Sequence, residues 1–236
     1  MNNIGIGIFC FSDIKYFYLT KDKIKNICSN DTHCYILTDN IDWFNKNIPH
    51  NNFLHLINYH RTTKSYHDKI ILHKHILSIH DISIVLDADC SIIDETFLFN
   101  LKNHNLKDGI SYIETLETNK WNKKLIGEID TSTVKWSSYF EYIESLCPEY
   151  KSLETIWEYL ILINGKDLNK DFFKIYEKLQ IVKEYADLKS GYRELLGAGE
   201  GITTKIAAKI SNTNCEKDFL LYDLLKDKIK PVQSRQ

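Results

Sequence analysis

The amino-acid sequence predicts an α/β fold in which helices flank a mostly parallel central sheet. Two observations lead to this prediction. In the first half of the chain, apolar runs of strand length alternate with longer stretches that repeat apolar residues at helical spacing. Strands separated by helices indicate βαβ units, whose strands run parallel. The 236 residues are also 43% hydrophobic, which is enough to cover both faces of such a sheet.

Four strands and two helices are predicted in the first half of the chain. The strands are nearly continuous apolar runs, as expected for strands that are buried on both faces. The helices carry apolar residues three and four positions apart. In chain order they are a strand over 4–11, a helix over 14–28, strands over 33–37 and 53–57, a helix over 65–80, and a strand over 82–86.

The second half of the chain is less regular. It predicts a strand over 108–115, a helix over 136–146 and a strand over 158–163, which stops at the turn signal Asn164-Gly165. Asn169 is a suitable N-cap for an amphipathic helix from 170 to about 185. A glycine-rich loop over 197–201 then leads into a helix over 202–210. The chain has no internal repeat and no linker composition, so we predict a single domain.

Composition excludes several classes of function. Thirty basic and 32 acidic residues leave a formal charge of −2, without the basic excess that a nucleic-acid partner requires. The six cysteines show neither a CxxC pair nor Cys–His ligand spacing, so we expect no zinc site, no disulfide framework and a reducing compartment. No apolar run approaches the roughly 18 residues of a membrane span. We therefore expect a soluble, cytoplasmic protein.

The sequence contains one D-x-D motif, Asp87-Ala88-Asp89, which directly follows the apolar strand over 82–86. Ligands of α/β sheets bind beyond the carboxyl ends of the strands, so this position favours a binding site. Two carboxylates one residue apart can share a hard cation, which in turn bridges a diphosphate. Without a cation, two aspartates at a dry site would repel each other. The structural alternative is a solvated loop with paired acids.

The segment Ile84-Val85-Leu86-Asp87-Ala88-Asp89 resembles the DxD motif of glycosyltransferases with the GT-A fold. The resemblance implies a Rossmann-like fold with a nucleotide-sugar-binding half and an acceptor-binding half. For this chain it implies one catalytic domain over 1–236, divided into a nucleotide-sugar half over 1–105 and an acceptor half over 106–236. It covers most of the chain as a layout, and the DxD segment is its specific part.

The resemblance also implies which residues hold the nucleotide-sugar. The end of the first strand matches the place where family members pack against the base. The Thr-Asp pair after the second strand resembles the pair that lines the nucleotide pocket. Lys69 resembles the basic residue that family members aim at the nucleotide or diphosphate, with an exposed helical lysine as the alternative. The implied set is Phe9, Cys10, Phe11, Thr38, Asp39, Lys69, Asp87 and Ala88.

On the acceptor side, the resemblance implies a role for Glu200. Retaining family members place an acidic residue before a helix, where it faces the anomeric carbon of the sugar. Glu200 lies between Gly199 and Gly201, and glycines let a backbone approach a ligand closely. A helix N-terminus with a favourably placed acid is the alternative. Trp157 and Glu158 are weaker candidates for contact with the acceptor.

The resemblance implies a Mn²⁺ or Mg²⁺ cofactor bound by Asp87 and Asp89. Some GT-A families complete the metal site with a histidine near the C-terminus. All nine histidines of this chain lie between His33 and His104. The remaining positions around the cation are therefore left to the diphosphate and water, or to a side chain such as Asn212.

These observations predict a divalent-metal-dependent glycosyltransferase. It would move a sugar from a nucleotide-sugar, which we expect to be UDP-linked, to a carbohydrate or related acceptor that can hold the protein at a membrane surface. Asp89 and Glu200 are the predicted catalytic residues. Two alternatives stay open: a phosphatase of the haloacid dehalogenase type, which also has a D-x-D after an apolar strand, and a non-catalytic nucleotide-sugar-binding subunit. The sequence also leaves open whether the sugar linkage is retained or inverted.

Overall fold

The computed structural model describes most of the first half of the chain and the sheet-forming parts of the second. The described residues are 3–11, 14–60, 68–90, 95–103, 105–113, 143–149, 153, 156, 160–165, 168, 170–180, 199–218 and 222. Within them, the protein has an α/β fold built on a single seven-stranded sheet.

The seven strands lie in the order β3-β2-β1-β4-β6-β5-β7. All run in the same direction except β6, which pairs antiparallel with both β4 and β5. The sheet is therefore mostly parallel, as predicted. The strands are β1 Ile4–Phe9, β2 His33–Thr38, β3 Leu54–Asn58, β4 Ile82–Asp87, β5 Gly109–Tyr112, β6 Leu160–Asn164 and β7 Cys215–Lys217.

Helices cover both faces of the sheet. Helices α1 (Ile14–Ser29), α2 (Ile41–Asn47) and α4 (Glu95–Asn103) pack on the face that Ile6, Ile8 and Ile84 line. Helix α3 (Lys69–Leu77) packs on the opposite face, against Phe9, Leu37 and Val85. Strand residues therefore alternate between two apolar layers, which explains why the strands are continuous apolar runs.

Two glycines in β1 let α3 approach the sheet closely. A Cβ atom at Gly5 would lie 2.5 Å from Cγ2 of Ile76, and one at Gly7 would lie 3.0 Å from Cδ1 of the same residue. Real Cβ atoms almost never show the first of these distances, and the second is shorter than most real Cβ contacts. Side chains at these two positions would push α3 away from β1, and with it the residue at the N-terminus of the helix, Lys69.

The second half of the chain extends the same sheet. Helical residues 172–180, named α5, and helix α6 (Gly199–Ile210) form an apolar layer with β5 and β6. The members of this layer include Ile110, Ile161, Ile163, Phe172, Tyr176, Leu179, Ile206 and Ala207. Within the described residues, no helix combines the length and the apolar character needed to cross a membrane.

The structure confirms the six predicted strands but adds three elements that the sequence analysis missed: α2, α4 and β7. It also corrects the loop that was predicted over 197–201, because α6 already begins at Gly199. The glycine at 201 has a packing reason. A Cβ atom there would lie 2.1 Å from the carbonyl oxygen of Ile156. Gly201 thus lets the first turn of α6 contact the main chain before β6.

Candidate active site

The Asp87-Ala88-Asp89 motif lies where the strand order of the sheet changes direction. From β1 the chain builds outwards through β2 and β3, and then returns to add β4 on the other side of β1. Phe9, the last residue of β1, is in register with Leu37 of β2 and with Asp87 of β4. Open α/β sheets bind ligands at such a switch point, beyond the carboxyl ends of the strands. We call this edge the carboxyl edge.

The motif forms a tight turn. The main-chain N–H of Cys90 donates a hydrogen bond of 3.0 Å to the carbonyl oxygen of Asp87, which closes a four-residue turn over 87–90. Asp87 and Asp89 are both half-buried, whereas Ala88 and Cys90 are buried. The turn therefore leaves the two carboxylates, rather than the residues between and after them, in partial contact with solvent.

Lys69 forms an ion pair with Asp87. Its Nζ lies 2.6 Å from Oδ1 of Asp87, and the lysine side chain is only 2% exposed. Asp87 is on the face of β4 that α3 covers, and Lys69 is the first residue of α3, so close packing of the helix brings the two charges together. The alternative of an exposed helical lysine does not hold. Lys69 lies beneath the site as the partner of Asp87.

A second buried lysine, Lys23 of α1, reaches the motif from the opposite face of the sheet. Its Nζ donates a hydrogen bond to the carbonyl oxygen of Ala88, and the residue is 7% exposed. Burial lowers the pKa of Lys23, while the nearby Cys90 and Asp89 oppose this shift. Lys23 and Lys69 therefore bracket the turn, one from each helical layer.

This arrangement changes one step of the sequence argument. From the sequence alone, repulsion between the two neighbouring aspartates favours a bound cation. Lys69 and Lys23 already supply positive charge within the protein, so the turn can fold before any metal binds. The two carboxylates still leave oxygen atoms at the half-buried surface, where a ligand with positive charge or hydrogen-bond donors can meet them.

The nucleotide-side residues predicted from the sequence meet at the same edge. Thr38 is the buried last residue of β2, and its hydroxyl accepts a 3.2 Å hydrogen bond from the N–H of Asn40. Asp39 follows at the surface. Since β2 and β4 are both neighbours of β1, strand spacing places their ends roughly 10 Å apart. The structure thus brings Thr38 and Asp39 close to the turn over 87–90.

The end of β1 contributes a buried floor rather than exposed side chains. The rings of Phe9 and Phe11 lie with their centroids 4.5 Å apart, and Phe11 makes an edge contact with Tyr59 at 6.2 Å. Cys10 faces the other layer. Its N–H donates a 3.0 Å hydrogen bond to Leu37, and its Sγ accepts one of 3.3 Å from the hydroxyl of Thr20.

Neither cysteine near the turn is a nucleophile at neutral pH. Burial raises the pKa of Cys10 to about 12, and burial together with the charge of Asp87 raises that of Cys90 to about 12 as well. Both thiols stay protonated, and reactivity belongs to the thiolate. The candidate functional groups at this edge are therefore its carboxylates and lysines.

The main chain of Glu200 lies at the carboxyl edge. Gly201 contacts the carbonyl of Ile156, which comes four residues before β6, and β6 begins opposite Leu86 at this edge. The side chain of Glu200 lies outside the part of the chain that the structure describes. Trp157 and Glu158 lie outside the described residues. Asn212 follows α6 at its far end, with a φ of 55°, and so lies away from the carboxyl edge.

The donor set at the turn fits Mg²⁺ or Mn²⁺ as a partial site. Hard cations prefer oxygen ligands, and Mg²⁺ in particular is held by one or two carboxylates while phosphates and water fill the other positions. Asp87 and Asp89 supply that number. The described residues contain no group of three or more histidine, cysteine, aspartate or glutamate side chains arranged to hold a metal. A cation here needs the oxygen atoms of a bound substrate.

Sequence reasoning missed Lys23, although a signal was present. The buried residues of α1 follow helical spacing and are Phe17, Thr20, Lys23, Ile24, Ile27 and Cys28. Lys23 lies three residues after Thr20 and four before Ile27, on the same buried stripe. A lysine on the apolar face of a helix, in a chain with a carboxylate pair, is a candidate partner for that pair.

Comparison with known proteins shows similarity of fold only. No protein-family model matches the sequence, and no curated protein matches it. Among solved structures, the galactosyltransferase LgtC, crystallised with donor and acceptor sugar analogues, has a TM-score of 0.42 at 17% identity, and the match covers 79% of this chain and 66% of LgtC. The glycosyltransferase GlyE of Streptococcus pneumoniae has a TM-score of 0.44 at 14% identity, over 92% of this chain and 45% of GlyE.

A third match, described as a nucleotide-diphospho-sugar transferase of Desulfovibrio desulfuricans, has a TM-score of 0.45 at 9% identity, over 92% of this chain and 80% of that protein. The chain thus spans about two-thirds of LgtC and less than half of GlyE. Because the identities and TM-scores are this low, the function proposed below is derived from the site itself.

Proposed function

We propose that this chain is a divalent-metal-dependent glycosyltransferase that moves a sugar from a UDP-linked nucleotide-sugar to a carbohydrate or related acceptor. The observation that carries the proposal is the turn over 87–90. It presents two carboxylates at the switch point of a mostly parallel sheet, between buried lysines from the two helical layers. A nucleoside diphosphate carries the phosphate oxygens that such a site lacks.

Asp87 and Asp89 would hold Mn²⁺ or Mg²⁺. When bound, the cation would act as a Lewis acid that stabilises negative charge on the departing nucleoside diphosphate. Lys69 fixes one oxygen of Asp87 by an ion pair and adds positive charge beneath the same leaving group. Preorganised charge of this kind is worth more in a partly dry site than in water, because no solvent has to reorient during the reaction.

The nucleoside would lie along the ends of β1 and β2. Asp39 is exposed there and can accept hydrogen bonds from ribose hydroxyls or from the base, and Thr38 shapes the main chain below it. The packed rings of Phe9 and Phe11 give this pocket a rigid apolar floor. In this proposal the first half of the chain, 1–105, binds the nucleotide-sugar.

The acceptor would meet the donor sugar on the side of β6 and α6, within the half over 106–236. The main chain of Glu200 lies at the carboxyl edge. Its carboxylate is therefore the group that we propose to face the transferred sugar. In a retaining reaction Glu200 would stabilise the cationic sugar, and in an inverting one an acid such as Glu200 or Glu158 would act as general base. Trp157 and Glu158 are proposed contacts of the acceptor.

All six cysteines are free thiols, in keeping with a reducing compartment such as the cytoplasm.

The proposal is tested by Asp89→Ala, with Asp81→Ala as the matched control. Asp81 is an exposed aspartate just before β4, at the opposite end of the same strand. We expect UDP with Mn²⁺ to raise the melting temperature of wild type and of Asp81→Ala, since a ligand of the native state stabilises it. Asp89→Ala should lose both this shift and the transfer of sugar from a UDP-sugar. In the absence of ligand its melting temperature should equal that of wild type.

Transfer at a wild-type rate by Asp89→Ala would exclude the DxD mechanism. A panel of other nucleoside diphosphates tests the preference for uridine in the same assay. Binding of UDP-sugars without transfer or hydrolysis would instead identify a non-catalytic binding subunit. Hydrolysis of simple phosphate esters without any dependence on a sugar donor would favour the phosphatase alternative.

A further inference from the structure

One main-chain hydrogen bond closes the turn that carries the two aspartates, and another hydrogen bond reaches the turn from outside. The Cys90 N–H closes the turn on the carbonyl of Asp87 at 3.0 Å. The second bond comes from outside, from Nζ of Lys23 to the carbonyl oxygen of Ala88. That carbonyl belongs to the central peptide of the turn, which links Ala88 to Asp89.

The central peptide decides where Asp89 points. Type I and type II turns share the closing hydrogen bond and differ mainly in the orientation of this peptide. A flip from type I to type II reverses the sign of φ at the third residue of the turn, which here is Asp89. Among the described residues, the non-glycine residues with positive φ are Asp31 and Asn212, so Asp89 has the unflipped conformation.

We propose that Lys23 is a positioning residue of the cation site: it holds the Ala88–Asp89 peptide in one orientation and thereby aims the Asp89 carboxylate at the cation that Asp87 shares. This inference rests on the proposed function. Lys23 is suited to the task because it is buried on the apolar face of α1, whose neighbours Thr20, Ile24 and Ile27 are packed against the sheet. The packing of α1 therefore fixes the position of the main chain from which the Lys23 side chain reaches the turn.

The charge of Lys23 supports the same role. The carboxylates of Asp89 and Asp87 both favour the charged form of Lys23 and so oppose the lowering of its pKa by burial. Lys69 performs the equivalent task for Asp87 from the other layer, by a direct ion pair of 2.6 Å. Each aspartate of the pair thus has a buried lysine behind it, one acting on the carboxylate and one on the main chain. Partners that orient metal ligands in this way commonly change metal affinity 10- to 100-fold when they are removed, on the order of the effect expected here.

The test compares Lys23→Met with Lys102→Met. Methionine keeps the length of lysine without its amine. Lys102 of α4 also donates to a main-chain carbonyl, that of Asn30 at 2.7 Å, but outside the site. Binding of Mn²⁺ in the presence of UDP is measured by the loss of the electron paramagnetic resonance signal of free Mn²⁺. We expect Lys23→Met to bind Mn²⁺ roughly tenfold or more weakly than wild type, and Lys102→Met to bind within about twofold.

A positioning role also predicts that excess Mn²⁺ restores the activity of one variant and not of another. Raising Mn²⁺ should restore the turnover of Lys23→Met with a UDP-sugar towards wild type, because both carboxylates remain. It should not restore Asp89→Ala, which lacks a ligand. If Lys23→Met does not fold, Lys23→Gln replaces it. Its shorter side chain loses the charge and the reach to Ala88, and the same weakening is expected.

The possible failures are distinct. Wild-type protein that binds no Mn²⁺ in the presence of UDP overturns the proposed function and this inference with it. Wild-type binding that the Lys23 variant retains to within about twofold overturns this inference alone, and the bond to Ala88 is then purely structural. Equal weakening in Lys102→Met overturns it as well, since the effect would come from general loss of stability.

Discussion

His73 is a buried histidine one helical turn after Lys69, and its surroundings keep it neutral. Its Nδ1 lies 2.9 Å from the hydroxyl of Ser83. Its Nε2 is buried and has no hydrogen-bond partner among the described residues. Burial lowers the pKa of His73 to about 3, and the positive charge of Lys69 adds to this shift. When His73 is protonated, both ring nitrogens carry a proton, and the one on Nε2 would meet neither water nor an acceptor.

This predicts an acid-sensitive contribution to stability. A folded-state pKa below the ordinary value of 6.5 means that the unfolded chain binds the proton more tightly. The contribution is complete above pH 6.5 and is lost as the pH falls towards 3. The loss should approach about 1.4 kcal/mol per pH unit for this single group.

His73→Gln isolates that loss, because glutamine is polar but does not titrate. Urea unfolding at several pH values between about 6.5 and 4.5 gives the free energy of unfolding of both proteins. The difference between wild type and His73→Gln should shrink as the pH falls. Burial also lowers the pKa of His55 and His80, but both proteins contain these groups and their effect cancels. A difference that stays constant with pH would contradict the prediction.

At the scale of elements, the contact between β1 and α3 determines how closely Lys69 approaches Asp87. A Cβ atom at Gly7 would lie 3.0 Å from Cδ1 of Ile76, 3.1 Å from Val85 and 3.2 Å from Leu72. Gly7→Ala should therefore destabilise the protein by about 1–3 kcal/mol, the usual cost of overpacking. Ile76→Val removes only the Cδ1 atom and should cost about 0.5–1.5 kcal/mol.

The double variant tests the contact itself. Ile76→Val removes the nearest of the three atoms that crowd the new methyl group at position 7. Gly7→Ala with Ile76→Val should therefore be more stable than the sum of the two single changes by at least about 0.5 kcal/mol. Urea unfolding of the four proteins closes the cycle. Strict additivity would show that α3 and β1 are not in the close contact described. Gly7→Ala with Ile24→Val is the matched control and should be additive, because Ile24 packs in the other layer.

The elements show what the sequence could and could not predict. Continuous apolar runs predicted six strands, because burial on both faces leaves a strong local pattern. Helix α2 is short, and the signal for it is its N-cap, where the side chain of Asn40 accepts a 3.0 Å hydrogen bond from the N–H of Trp43. Strand β7 has three half-buried residues and no apolar run. Its place in the sheet depends on pairing with β5, which no local pattern records.

The same limit applies to the candidate site. Asp87 and Asp89 could be found from the sequence because a strand and a carboxylate pair are adjacent in the chain. Lys23 and Ala88 are 65 residues apart, and the contact exists because α1 and the end of β4 share one layer of the sheet. The position of Gly201 was read as access for a ligand, whereas the packing of α6 against Ile156 also requires a glycine there.

At the scale of the whole molecule, two independent features bring the start of α6 to the carboxyl edge. Helix α6 leads into β7, which runs parallel to β5, so the helix must run from the carboxyl edge back to the opposite one. Gly201 also contacts the carbonyl of Ile156, just ahead of the start of β6 at that edge. The main chain of Glu200 therefore lies at the same edge of the sheet as Asp87.

This placement predicts a catalytic effect for Glu200→Gln, which keeps size and hydrogen bonding but removes the charge. If Glu200 stabilises positive charge on the sugar, turnover should fall about 100-fold or more, the scale of one lost electrostatic contact in a transition state. Affinity for UDP and Mn²⁺ should stay nearly unchanged, because the turn over 87–90 is intact. Glu177→Gln is the control, since Glu177 lies on α5 in a surface pair with Lys74. Turnover is measured with the same UDP-sugar for wild type and Glu200→Gln. Unaltered turnover in Glu200→Gln would exclude Glu200 from the mechanism, and another group at the carboxyl edge would then have to stabilise the charge on the sugar.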